Sequence, residues 1–260
     1  MASNSQPPVR NPSGNATDQP FGPFADCGNG NPAFYHQFFD DFDDAFGSST
    51  TGLWVVTPAS SVAHTAGDGG LALFTTGATA GSQAEIQLPA ASFVASATQK
   101  MFFECRMQVA TLTTNAWVVG LIDTTATPFT AITDGIYFSK AVGTTTINLI
   151  VVKASVVSAT IPIPASAIAN YAINTNFDLA WYLDRHGDIR IFANNQLVGW
   201  IPASGTGSTS PSTAGLGPCA RATAPTLPTV NLNVTAALSN GVTASATTMI
   251  VDFICSSKER

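Results

Sequence analysis

Residues Phe177–Pro202 read FDLAWYLDRHGDIRIFANNQLVGWIP, and this stretch decides the fold. Two short polar breaks, Arg185-His186-Gly187 and Asn194-Asn195, separate three runs rich in aromatic and branched residues. Asn and Gly tolerate positive φ, so each break is a tight turn and the segment is a three-stranded meander. Upstream, Phe103, Cys105, Met107 and Val109 alternate with Glu104, Arg106 and Gln108. That period of two specifies a strand with one apolar and one polar face. Comparable patterns predict strands over 71–75, 84–88, 117–123, 135–140, 146–153, 156–161, 230–237 and 247–255, with a helical turn within 164–171. Strands in this number with almost no helical periodicity predict an all-β, two-sheet jelly-roll sandwich.

Working outward, the composition breaks near residue 33. The leader is rich in Pro, Gly, Asn and Ser with scattered apolar residues, and cannot bury enough surface to offset its chain entropy alone. We read 1–33 as an extended N-terminal arm and 34–260 as one sandwich domain. The joint, NPAFYHQFFDDFDDAF over 31–46, holds six aromatics and four aspartates. Phe21, Phe24, Phe34, Tyr35, Phe38 and Phe39 are the candidate partner-binding anchors, suited to ordering on contact with another subunit. Charged residues are only 10% of the chain, against ~25% in ordinary soluble domains. A hydroxyl-rich, low-charge skin of that kind suits subunit contacts or simple solubility.

A net charge of −6 and the absence of a basic patch argue against nucleic acid. No apolar run reaches the ~18 residues that span a bilayer, and the first twenty residues lack an apolar core. The expectation is therefore a soluble protein made in a cytosol, without a membrane partner. Cys27, Cys105, Cys219 and Cys255 show no ligand spacing and read as reduced thiols, with disulfides the lesser reading.

Chemistry is sparse along the line of the sequence. Glycosidases need two carboxylates placed across a cleft, and the chain has only Glu85, Glu104 and Glu259 as glutamates, with no ExDxxE-type strand motif. Glu104 reads as a structural surface residue. His36, His64 and His186 stand apart, His64 in a polar loop and His186 at a hairpin tip, so no metal or catalytic set is expected. Asp40, Asp41, Asp43 and Asp44 lack the glycine and terminal glutamate of a calcium loop, and Asp123, Asp134 and Asp252 lack the spacing of a lectin ion site. Trp54, Trp117, Trp181 and Trp200 are candidates for stacking on a sugar, but each lies in or beside an apolar strand and reads as core. No enzyme and no cofactor are expected.

The meander resembles the late hairpins of concanavalin A-like jelly rolls, and FFECRMQV paired with WVVGLIDTT and followed by DGIYFSK resembles their central strands. The leader, with Asp18-Gln19-Pro20-Phe21-Gly22-Pro23, resembles the start of a group of tailed-bacteriophage virion structural proteins. GDGGLALFTT, DGIYFSK, LVGWIP and the terminal Lys258-Glu259-Arg260 extend that resemblance over the chain. It implies a capsid decoration or cement protein on the virion surface, present in the host cytoplasm during assembly. Its partners would be the major capsid protein and copies of itself in a trimer or dimer. The alternative is a carbohydrate-binding, lectin-like module that holds host glycans.

Overall fold

The computed structural model describes residues 35–43, 53–58, 61–67, 70–125, 127–163, 165–168, 171–201, 225–242 and 244–260. Its strands, in chain order, are β1 (Tyr35–Asp40), β2 (Val55–Thr57), β3 (Val62–Thr65), β4 (Leu71–Thr75), β5 (Gln83–Gln87), β6 (Met101–Val109), β7 (Ala116–Ile122) and β8 (Gly135–Lys140). There follow β9 (Ile147–Lys153), β10 (Val156–Ile163), β11 (Phe177–Leu183), β12 (Ile189–Ala193), β13 (Gln196–Ile201), β14 (Asn233–Ser239) and β15 (Thr248–Glu259). A 3-10 turn, Ala165–Ala167, falls where the helical turn was expected.

The strands form two antiparallel sheets. Sheet A runs β13-β12-β11-β6-β15-β4-β3, with β1 also paired to β15, and sheet B runs β10-β9-β8-β7-β14-β5-β2. The Phe177–Pro202 reading holds in detail for the described residues: β11, β12 and β13 are a meander at one edge of sheet A. Its first turn is closed by Asp184, whose Oδ1 accepts the amides of His186 (2.8 Å) and Asp188 (3.0 Å), while Gly187 sits at φ 87°. Asn194 and Asn195 take φ 46° and 67° in the second turn, the left-handed region that asparagine tolerates.

Alternation fixes which side of each strand is inside. Phe103, Cys105 and Met107 of β6 meet Leu179, Trp181 and Leu183 of β11 in one core with Trp117, Val119 and Leu121 of β7 and Ile136 and Phe138 of β8. Phe103 stacks on Trp181 with centroids 6.1 Å apart, and Trp117 packs on Phe177 at 6.3 Å. Trp54, Trp117 and Trp181 are thus core residues, as read from the sequence; Trp200 is half-buried.

Three expectations are corrected. β6 does not pair with β7: the chain crosses between them, β6 lying in sheet A and β7 in sheet B. Both strands carry an apolar stripe, and a stripe shows that a strand faces the core, not from which sheet it does so. His64 lies in β3, not in a loop, because a four-residue edge strand with exposed side chains has no apolar period to reveal it. Glu104 is buried rather than a surface residue, at 1% exposure.

Candidate functional site

The sandwich uses one face of each sheet for its core, which leaves two outward faces. On sheet B the outward row through β5 runs Thr57, Glu85, Ala237, Val118, Ser139, Asn148. The next row runs Val55, Gln87, Thr235, Gly120, Tyr137, Ile150. Ala237, Thr235 and Gly120 at the centre of this face are small and buried. Gly120 is required there, because a Cβ would lie 2.5 Å from the Tyr137 Cα. Tyr137 can therefore settle against the sheet, and burial, with Asp123 nearby, pushes its hydroxyl up to about 12.

Gln87 is held on three sides. Its Nε2 donates to Thr235 Oγ1 (2.8 Å) and to the Asp123 carbonyl (3.3 Å), and its Oε1 accepts the Thr125 amide (3.3 Å). Asp123 organises the loop beyond β7, its carboxylate accepting the amides of Thr133 (3.0 Å) and Asp134 (3.2 Å) and the Thr133 hydroxyl (2.9 Å). Phe129 and Ile132 of that loop pack on Val118, Ile122, Tyr137 and Val152. One end of the face is therefore walled by a fixed loop.

Glu85 stands beside this scaffold and is treated differently. Its residue is 2% exposed, and its Oε2 has no hydrogen-bond partner. Burial pushes its carboxyl up to about 7, since removal from water penalises the charged form. A buried carboxyl oxygen left without a partner costs about 1–3 kcal/mol in unmet hydrogen bonding. A carboxyl raised toward neutrality in this way is suited to accept from a hydroxyl or to deliver a proton. Gln87, Thr235, Tyr137 and Ser139 share the face and supply amide and hydroxyl groups around it.

The residues singled out from the sequence lie elsewhere. Phe21, Phe24 and Phe34 fall outside the described residues, as do Asp44 and Phe46. Tyr35, Phe38 and Phe39 belong to β1 in sheet A; Phe38 packs inward, edge-on to Trp54, while Phe39 is 52% exposed and stacks on Phe253. Asp40 accepts the Trp54 indole N–H and the Phe42 amide, which makes it a structural brace. Asp123 and Asp134 lie together, but Asp252 is in sheet A beside Arg106. No group of three metal-binding side chains occurs among the described residues. No helix among them is long and apolar enough to cross a membrane. The Glu85 face was missed because Glu85, Tyr137 and Thr235 come from strands far apart in the chain; its one local signal was a lone glutamate in an apolar strand.

No protein-family model matches the chain, and no curated protein matches it in sequence. Solved structures do match. An endo-1,3-beta-glucanase from Streptomyces sioyaensis aligns with a TM-score of 0.55 at 15% identity, covering 88% of this chain and 98% of that one. A beta-glucanase of Bacillus licheniformis aligns at 0.56 and 13%, covering 85% and 97%. A glycosidic hydrolase aligns at 0.55 and 12%, covering 86% and 95%. At such identities the likeness establishes the fold, a concanavalin A-like jelly roll.

The likeness also corrects the expectation that the chain is no enzyme. Glycoside-cleaving proteins are built on this fold over nearly their whole length. The exclusion rested on the lack of a carboxylate motif along one strand, whereas the structure gathers polar groups onto a face from several strands. That argument from a linear motif does not stand.

Proposed function

We propose that this protein is a carbohydrate-binding jelly-roll domain whose ligand meets the outward face of sheet B at Glu85. The observation that carries the reading is the unpartnered, buried carboxyl on that face, flanked by fixed amide and hydroxyl groups. Sugar hydroxyls are the donors such a carboxyl lacks. The glucanase folds make a β-1,3-glucan oligosaccharide the first ligand to try.

Calorimetry at pH 7.5 tests it. Wild type binds, and Glu85→Gln binds more weakly by roughly tenfold or more, since a hydrogen bond to a charged group is worth about 1.5–3 kcal/mol. Reducing-end release, read on the same samples, reports whether the bound sugar is also cleaved. A glycan panel without a single binder would refute the reading.

The leader supports a second reading, in which the domain serves on a bacteriophage virion. Asp18-Gln19-Pro20-Phe21-Gly22-Pro23 and the terminal Lys258-Glu259-Arg260 carry the resemblance, and the low charge content suits subunit contacts. In that role the domain decorates the capsid surface through the major capsid protein, as a trimer or dimer, and passes through the host cytoplasm during assembly. Co-sedimentation with undecorated capsids tests it: a chain lacking 1–33 loses binding, and equal binding by both chains overturns the tether.

A further inference from the structure

The charges of this chain are sorted between the two ends of the sandwich. The connections that follow β2, β4, β6, β8, β10, β12 and β14 all leave the sheets at one end, as the strand registers require. They are residues 58–61, 76–82, 110–115, 141–146, 164–176, 194–195 and 240–247, and their sequences contain no Asp, Glu, Lys or Arg. Lys140 and Asp178 come near this end on their strands, but neither presents its charge there. Lys140, the last residue of β8, is 1% exposed and donates inward to Asn115, and Asp178 of β11 is held by Arg106 at 2.8 Å. The opposite ends of the strands carry Asp123, Asp134, Asp184, Arg185, Asp188 and Glu259. The neutral end is also fixed and partly apolar. The Gly81 amide donates to the Gly241 carbonyl (2.6 Å), that of Gly143 to Thr113 (2.7 Å) and that of Asn174 to Val109 (2.9 Å). The Asn240 side chain donates to the carbonyls of Gly77 (2.9 Å) and Thr79 (2.8 Å). A Cβ on Gly241 would lie 2.2 Å from Val142 Cγ2, so the 141–146 and 240–247 connections meet closely. Val242 is 84% exposed and Ile173 55%, and Thr113, Thr144 and Thr145 are exposed as well.

We propose that this neutral end is a self-association surface, on which a second copy of the chain docks end to end about a two-fold axis. Charge selects the occupant. Two chains of net charge −6 repel one another, and the neutral end is where they can meet with no like charges opposed and no ion stripped of water. A basic partner, by contrast, would be drawn to the acidic end. Size agrees with a second copy. Seven strands at about 4.8 Å spacing, in two sheets about 10 Å apart, give an end of roughly 30 by 20 Å with its side chains. Two such ends bury roughly 1,200 Å² together, the lower limit of a specific, stable interface. Connections already tied to one another lose little freedom on docking, which lowers the cost of association.

Sedimentation equilibrium of the full chain tests the docking. The wild type should show a reversible monomer–dimer equilibrium at micromolar concentrations. Val242→Glu, at a position too exposed to disturb folding, sets a carboxylate on each half of the contact and should weaken the dimer by roughly tenfold or more. Ile173→Glu should act in the same direction. Val230→Glu, at the opposite end beside the Phe93–Leu232 bridge, should leave association unchanged. Added salt should strengthen the dimer, since it screens the repulsion between the chains and breaks no ion pair in the contact. A monomer at every concentration overturns the proposal, as does a dimer that Val230→Glu weakens as much as Val242→Glu. Hydrogen-exchange protection of Gly241 and Val242 that appears with a β-1,3-glucan oligosaccharide, and not with rising protein concentration, also overturns it, since this end would then hold sugar.

Discussion

Replacing Glu85 by glutamine should flatten one part of the stability profile and leave the rest intact. The carboxyl has an ordinary value of 4.5 and is pushed up to about 7 by burial in the folded chain. A raised value means that the native state holds its proton more tightly than the unfolded state does. The group's favourable contribution is complete below pH 4.5, falls away as pH rises, and is gone above about 7. At about 1.4 kcal/mol per pH unit, the span amounts to roughly 3 kcal/mol. Glu85→Gln removes the ionisation without changing the shape, so it should match wild type near pH 4.5 and exceed it by up to ~3 kcal/mol at pH 8. For a domain of this size that is roughly 6–12 °C in Tm. Urea titrations of both proteins from pH 4.5 to 8 isolate the effect as a difference curve. Parallel profiles would refute the reasoning, and would show that Glu85 ionises freely or finds a partner.

The same group should govern ligand affinity in the opposite sense: if sugar hydroxyls donate to it, β-glucan binding should strengthen between pH 6 and 8 in wild type and not in Glu85→Gln, as calorimetry can read. Lys140, whose Nζ donates to the Asn115 carbonyl and side-chain oxygen, is lowered by burial to about 8 from 10.5. Wild type should therefore gain stability between pH 8 and 10.5, and Lys140→Met should lose that slope, with the denaturation midpoint as the readout. Gly120→Ala should cost about 3 kcal/mol, because its methyl would meet the Tyr137 backbone rather than a movable side chain; a thermal melt within 2 °C of wild type would contradict it. Trp181→Ala should cost about 3–5 kcal/mol as a core cavity, whereas Trp200→Ala, only half-buried, should cost much less.

Local chemistry made much of the fold legible in the sequence. The Asp184–Gly187 and Asn194-Asn195 turns were readable because only a few residue types close such turns, and β4, β8 and β13 fall where alternation placed them. The inward direction of Trp54, Trp117 and Trp181 followed from the same apolar context. β2 and β3 were not readable, since strands of three and four residues are too short to carry a period. Even in β6 the alternation located the strand while hiding its sheet, because the Ala110–Asn115 connection decides that and any polar link of its length serves a hairpin or a crossing equally well.

The Glu85 face shows where sequence stops. Period two already turned Glu85 away from Ala84 and Ile86, and that much was determined by the residues alone. Which groups stand next to it was settled by pairing: Thr57 and Ala237 lie opposite it, and Thr235 accepts a hydrogen bond from Gln87, from up to 152 positions away in the chain. The raised carboxyl value belongs wholly to that assembly, since burial is a property of the packed sheet and its loops and of no single strand. Sequence set the direction of each side chain through backbone geometry; tertiary structure set its neighbours and its solvent, which are what give a carboxyl its chemistry.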